Sequence, residues 1–362
     1  MLIGFEIDYK TLPYSRRERN LVTQTTNGRG PKIRDVALHA GVSTATVSRA
    51  LTDPASVRPA LRDKVLEAVK ALGYTPNAAA RSLRAGRTRT ILVVTRKRWS
   101  APFFSEVLNG IDTTLARAGH AMILGNFDAG DRREEEIIDM MFSGHIDGAI
   151  ILSGIAADTG TRSMLDAGLP IVSISAAVAG TLAIVTDEGE SIVRLADHLL
   201  DGGHRRFLYL AGPLGNYNET VRWAALRAHL AGRADATLAR IEGDYTMPAG
   251  IAAAKDFLAM AERPSAVVAC NDEMAIGFMK TVRAAGVAVP GAVSVAGFDG
   301  IEFADYCEPT LTTIRQPRFE LGAAGAETLL KMLAGTMALA DGPVRLVNRL
   351  RLADSTAPLG AG

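Results

Sequence analysis

The sequence is poor in the residues that build covalent or metal-held scaffolds. Only two cysteines occur, Cys270 and Cys307, with no C-x-x-C pair, so neither a disulfide framework nor a cysteine-held zinc is expected. The six histidines (His39, His120, His145, His198, His204 and His229) have no metal-ligand spacing and read as structural or solvated side chains. No apolar run approaches the roughly 20 residues that a membrane helix requires, and the amino terminus lacks the apolar core of a secretion signal. No G-x-S-x-G, H-E-x-x-H, G-x-x-x-x-G-K-[ST] or post-strand G-x-G-x-x-G occurs. These absences argue against an enzyme, a cofactor, a metal site and a membrane protein, and for a reducing, cytoplasmic setting.

A net charge is also missing overall: 40 Lys and Arg stand against 39 Asp and Glu. Its distribution is uneven. Residues 31–90 hold 11 basic and 4 acidic side chains, whereas residues 91–362 hold 24 basic and 32 acidic. A small basic head on a large acidic body is expected where only the head meets a polyanion. Residues 1–30 show no period, and their end, TQTTNGRG, is loop composition; they read as a disordered arm or an over-long start.

Within the head, residues 32–40 place Ile33, Val36, Ala37 and Ala40 at helical spacing before Gly41. Ser43 is placed to cap a second helix over residues 44–51 with Val47 facing inward. A third helix follows Pro59, carries Leu61, Val65, Val69 and Leu72 on one face, and stops at Gly73. Two short helices about a tight glycine turn form a helix-turn-helix, whose second helix enters the major groove.

From residue 90 the pattern changes to apolar runs alternating with amphipathic helices. Residues 91–95, 121–125, 148–152, 170–174 and 183–186 read as short buried strands, with helices over 104–118 and 132–142. A second series follows at 206–211, 237–242, 266–269 and 293–298. Such alternation, run twice, predicts two parallel sheets flanked by helices, with a ligand at the strands' carboxyl ends between them.

The motifs AGVS, TVSRAL, LGY-x-PN and A-R-x-L, set in DVALHAGVSTATVSRAL and VRPALRDKVLEAVKALGYTPNAAARSLRAGRT, resemble the head and hinge of the LacI/GalR family of transcriptional regulators. The resemblance runs through nearly the whole remaining chain. It implies a small all-α helix-turn-helix head (31–75), a hinge helix and linker (76–90), and an α/β body (91–358) of two parallel-sheet lobes like a type I periplasmic binding protein. Late crossovers would divide the body into an N-lobe (about 91–187 and 317–345) and a C-lobe (about 188–316 and 346–358).

By that resemblance Thr44, Ala45 and Arg49 face base edges, with helix filler the bland reading of the first two. Arg49 can donate two hydrogen bonds to a guanine. Ser43, Thr46 and Ser48 cap the helix or meet phosphate. Asn77, Ala80, Arg81 and Leu83 belong to the hinge, with Leu83 as a minor-groove wedge. Lys32 departs from the capping Thr or Ser of many members.

In the body, WSAPFF, GPLGNYNETVR, EGDY, ACNDEMAIG and AGFDG match effector-contact segments. The implied contacts are Phe103, Phe104, Ser175, Asn216, Arg222, Tyr245, Asn271 and Asp299, with Asn218 in the same loop. An aromatic face with Arg, Asn and Asp suits a carbohydrate. Ser175 stands where sugar-responsive relatives often have Asp. Competing readings make one phenylalanine core, Arg222 a salt-bridged surface residue, Trp99 either pocket or surface, and Asp272 the cap of a helix from Glu273.

The expectation is therefore a repressor working at the nucleoid. As a homodimer it would bind a pseudo-palindromic double-stranded DNA operator, switched by a small metabolite, a sugar or sugar acid being favoured. A purine-like effector, or a solute-binding receptor without DNA function, is the alternative. The tail carries no leucine heptads to drive a tetramer.

Overall fold

A computed structural model describes residues 30–75, 87–95, 102–127 and 131–360. They fall into two compact units divided at Gly86. The hinge residues Asn77, Ala80, Arg81 and Leu83, together with Trp99 and residues 1–29, lie outside the described residues.

The first unit contains α1 (Ile33–Ala40), α2 (Thr44–Thr52) and α3 (Pro59–Leu72). Gly41 and Gly73 end α1 and α3 in the left-handed conformation that a side chain would strain. Lys32 supplies no side-chain cap to α1; Asp35 instead accepts the Lys32 N–H at 2.8 Å, half of a capping box. Ser43 Oγ accepts from the Thr46 N–H at 3.1 Å and caps α2. Val36, Ala37, Val47, Ala50, Val65 and Ala68 form the core, which Tyr74 completes. So small a core holds this unit together only modestly.

The second unit holds two six-stranded sheets. The first contains β1 (Thr90–Thr95), β2 (Ala121–Asn126), β3 (Gly148–Ile151), β4 (Ile171–Ile174), β5 (Leu182–Thr186) and β11 (Val344–Leu346), in the order β11-β5-β4-β3-β1-β2. The second contains β6 (Arg206–Leu210), β7 (Thr237–Ile241), β8 (Ala266–Ala269), β9 (Ser294–Asp299), β10 (Thr312–Arg315) and β12 (Arg349–Arg351), ordered β12-β10-β9-β8-β6-β7. Every pairing is parallel except β10 with β12. Central strands such as β3, β4, β8 and β9 are buried throughout, as sheets covered on both faces require.

Helices α4 (Pro102–Arg117), α5 (Asp131–Phe142), α6 (Glu188–Asp201), α7 (Tyr217–Ala231), α8 (Met247–Ala259), α9 (Asp272–Ala284) and α10 (Arg318–Leu333) cover the sheets. After β10 the chain returns to the first lobe through α10 and β11, then crosses again to β12. Helices α4 and α10 pack backbone to backbone: a Cβ at Gly110 would strike Phe319 O, and one at Gly322 would strike Val107 O. Any side chain there must push these helices apart.

Two differences from the sequence reading have a common cause. The segment over 121–125, read as buried, is an edge strand whose Ile123 and Leu124 are 37% and 38% exposed. The 237–242 segment likewise forms an edge, β7, that is only partly covered. Apolar composition selects a strand but does not select its place in the sheet.

Candidate functional site

The carboxyl ends of both sheets border one cleft of about 320 Å³, within the range of small-molecule sites. Thr95 ends β1, Ser175 follows β4, Tyr245 follows β7, Asn271 follows β8, and Gln316 follows β10. Phe103 and Phe104 enter from the first turn of α4, while Asn216 and Arg222 come from the start of α7. All eight residues expected at the effector site thus line one cavity, as does Asn218. Asp299 reaches it from the last position of β9.

Backbone strain gathers at this cleft. Four non-glycine residues among those described have positive φ, and three line the cavity: Ser175 at 65°, Tyr245 at 67° and Asp299 at 118°. Such conformations are costly and persist where surrounding structure imposes them, often around ligands.

Several polar groups first serve the scaffold. Asn216 caps α7, its Oδ1 accepting the N–H groups of Asn218 and Glu219 and the Tyr245 hydroxyl at 3.0 Å. Burial pushes the Tyr245 hydroxyl well above its ordinary range, keeping it a proton donor. Asn271 donates to Tyr245 O at 2.9 Å and accepts from the Met274 N–H, capping α9. This corrects the assignment of that cap to Asp272. Asp272 is the first helical residue and fully buried, where it accepts from the Ile301 N–H and the Thr313 hydroxyl. Its carboxylate ties α9 to β10 instead of closing the helix end.

Arg222 is 2% exposed, which sets aside the surface reading, though it is salt-bridged. Its Nε donates to Glu188 Oε2 at 2.5 Å, Nη1 donates to Cys270 O, and the guanidinium lies 3.6 Å from the Phe298 ring centroid. Nη2 lies 3.7 Å from Asp299 Oδ1, beyond hydrogen-bond reach. Burial pushes the Asp299 carboxyl up to about 7 against the opposing pull of Arg222. Glu188, itself 3% exposed and also bonded to the Thr186 hydroxyl, was not found by sequence reasoning. Nothing local signals an acid that pairs 34 positions away.

Gln316 was also missed. Its Nε2 donates to Asp299 Oδ1 at 2.8 Å, which turns its Oε1 away without a partner. Of five buried side-chain polar atoms without a hydrogen bond among the described residues, three line the cleft: Ser175 Oγ, Asn218 Oδ1 and Gln316 Oε1. Phe103 and Phe104 meet edge to face at 5.3 Å, both half-buried, and both also pack against the first-lobe core. The core-versus-cleft alternative therefore does not separate them.

On the head, α2 turns Val47 and Ala50 inward and leaves Thr44, Ala45 and Arg49 exposed on its outer side. Thr46 is engaged with Ser43, their hydroxyls 2.9 Å apart, while Ser48 is half-buried. Among the described residues no group of histidine, cysteine and acidic side chains is placed to hold a metal, and no helix is long and apolar enough to cross a membrane.

Comparison with known proteins joins the two units. Residues 32–77 match the model of bacterial regulatory proteins of the lacI family, and residues 196–356 match the periplasmic binding protein-like domain. The chain is 34% identical over 321 residues to the HTH-type transcriptional repressor CytR of Escherichia coli K12, spanning 84% of this chain and 90% of that protein. The lac repressor dimer bound to operator and an anti-inducer superposes with a TM-score of 0.80 at 26% identity, covering 91% of this chain and all of that one. A LacI family regulator from Enterococcus faecium with bound ribose superposes with a TM-score of 0.67 at 28% identity, over 75% and 99%. With a helical head that matches the lacI-family model and a ligand-sized cleft in its body, this chain belongs to the LacI family and is a DNA-binding transcriptional repressor, not an enzyme.

Proposed function

We propose that the protein is a homodimeric repressor whose affinity for a pseudo-palindromic operator is set by a carbohydrate-like metabolite in the interlobe cleft. One observation carries the effector half of this reading. Three residues that line the cavity, Ser175, Asn218 and Gln316, each carry a buried oxygen without a partner, a desolvation cost that a polar ligand reaching them would remove. The phenylalanines offer the apolar face that a sugar's C–H surface needs. Ribose in the Enterococcus faecium relative supports the same class of ligand.

On DNA, Arg49 is assigned to a guanine edge, Thr44 and Ala45 to methyl contacts, and Leu83 to a central minor-groove wedge between paired hinge segments. The β2 edge, with exposed Ile123 and Leu124, supports a dimer through the first lobe. A ligand that prefers one pose of the lobes shifts the hinge pair and thereby operator affinity.

The test is retention of fragmented genomic DNA by the purified protein, with and without pools of sugars. Enrichment of a few palindromes, changed by one pool, is the expected result. Retention without sequence preference under every pool refutes the proposal.

A further inference from the structure

We propose that Glu188 sets the chemical class of the effector: by occupying Arg222 from behind, it makes the deep end of the cleft a site for uncharged, hydroxyl-bearing ligands and closes it to carboxylates and phosphates. The inference rests on the cleft being the effector site.

Arg222 is the cation that an acidic sugar would seek, yet its charge is already matched. Glu188 Oε2 lies 2.5 Å from Nε, and both side chains are almost wholly buried. Asp299 stands 3.7 Å from Nη2, at the edge of the same cleft. An anionic group arriving at Nη2 would meet one cation flanked by two acids in a low-dielectric pocket, where like-charge proximity is heavily penalised.

Hydrogen-bond polarity points the same way. Where Asp299 is ionised, the orientation of Gln316 follows from it, because a carboxylate accepts and the amide nitrogen must face it. Gln316 Oε1 is therefore an unmatched acceptor, as is Asn218 Oδ1. Neither a carboxylate nor a phosphate dianion can donate to them. A hydroxyl can donate to Asp299 or Gln316 while accepting from Arg222 Nη2, so a pair of neighbouring hydroxyls satisfies the deep end without adding charge.

The experiment uses the full chain, wild type and Glu188→Gln, with matched probes: glucose and glucuronate, galactose and galacturonate, and inorganic phosphate. Binding is read by calorimetry. The wild type is expected to bind no uronate more tightly than its parent sugar. Glu188→Gln frees the guanidinium charge, so its preference for the anionic probes should rise by about tenfold or more relative to wild type. The same basic head is present in both proteins, so anion binding there cancels in the comparison.

A merely structural glutamate would not create anion selectivity. The conservative Glu188→Asp is expected to keep the wild-type class. A folded Glu188→Gln protein that gains nothing for phosphate or either uronate overturns the proposal. So does a wild type that prefers a uronate to its parent sugar, a result that needs no variant to fold. Operator retention is measured on the same samples, so failure of the regulator reading shows there and not in the ligand series.

Discussion

Replacing Arg222 by Gln removes the charge from the most enclosed ion pair described and leaves Glu188 buried at 3% exposure without its cation. Breaking one partner of such a pair costs about 3–5 kcal/mol, because the remaining charge loses its compensation. The guanidinium's position 3.6 Å from the Phe298 centroid adds a stacking loss of up to about 2 kcal/mol. Some relaxation and water entry will offset this, so about 3–5 kcal/mol is the working figure for the whole change. At about 2 °C per kcal/mol for a unit of this size, the melting temperature should fall by about 6–10 °C. Both tryptophans, Trp99 and Trp223, lie beyond residue 87, so their fluorescence follows the body without interference from the head. The double variant Glu188→Gln/Arg222→Gln removes the uncompensated charge and should recover part of the loss, the signature of coupling between neighbours. A single-variant loss below about 2 °C, or a double variant losing the sum of the singles, would refute the reasoning.

Arg49→Ala should weaken operator binding by about 1–3 kcal/mol and relax preference at one base pair, read by anisotropy against substituted operators; a uniform loss at every sequence would make Arg49 a phosphate contact. Leu83→Ala should reduce DNA bending in a gel-phasing assay while sparing ligand binding, and unchanged bending would sink the wedge assignment. With its carboxyl raised to about 7, Asp299 holds a proton in the folded body that the unfolded chain releases near pH 4, so its stabilising contribution is complete below that window and lost as pH rises through it. A ligand hydroxyl donating to the ionised form should displace that proton, so affinity should rise from about pH 6 to about pH 8; calorimetry in buffers of unlike ionisation enthalpy that detects no released proton would count against it. If the proposed dimer forms through the β2 edge, Ile123→Asp with Leu124→Asp should yield monomers by light scattering, and an unchanged mass would move the interface off that edge.

The sequence by itself determined the elements, because their causes are local. Gly41 and Gly73 stop helices through their own backbone freedom, Ser43 caps α2 from three residues away, and Val36, Val47 and Val65 show their inward faces by helical spacing. It also brought out segments that line the cleft, since those motifs are contiguous and resemble a known family. The tertiary structure decided what depends on partners distant in the chain. Only the packing of α6 against α7 brings Glu188 to Arg222, and only the alignment of β9 with β10 brings Gln316 to Asp299. The same holds for the exposure of β2 and for the cap of α9, where Asn271 took the place expected of Asp272. Periodicity reports which way a residue faces on its own element. The charge and polarity of a site depend on what the opposite element presents, and that is settled only when the strands find their register.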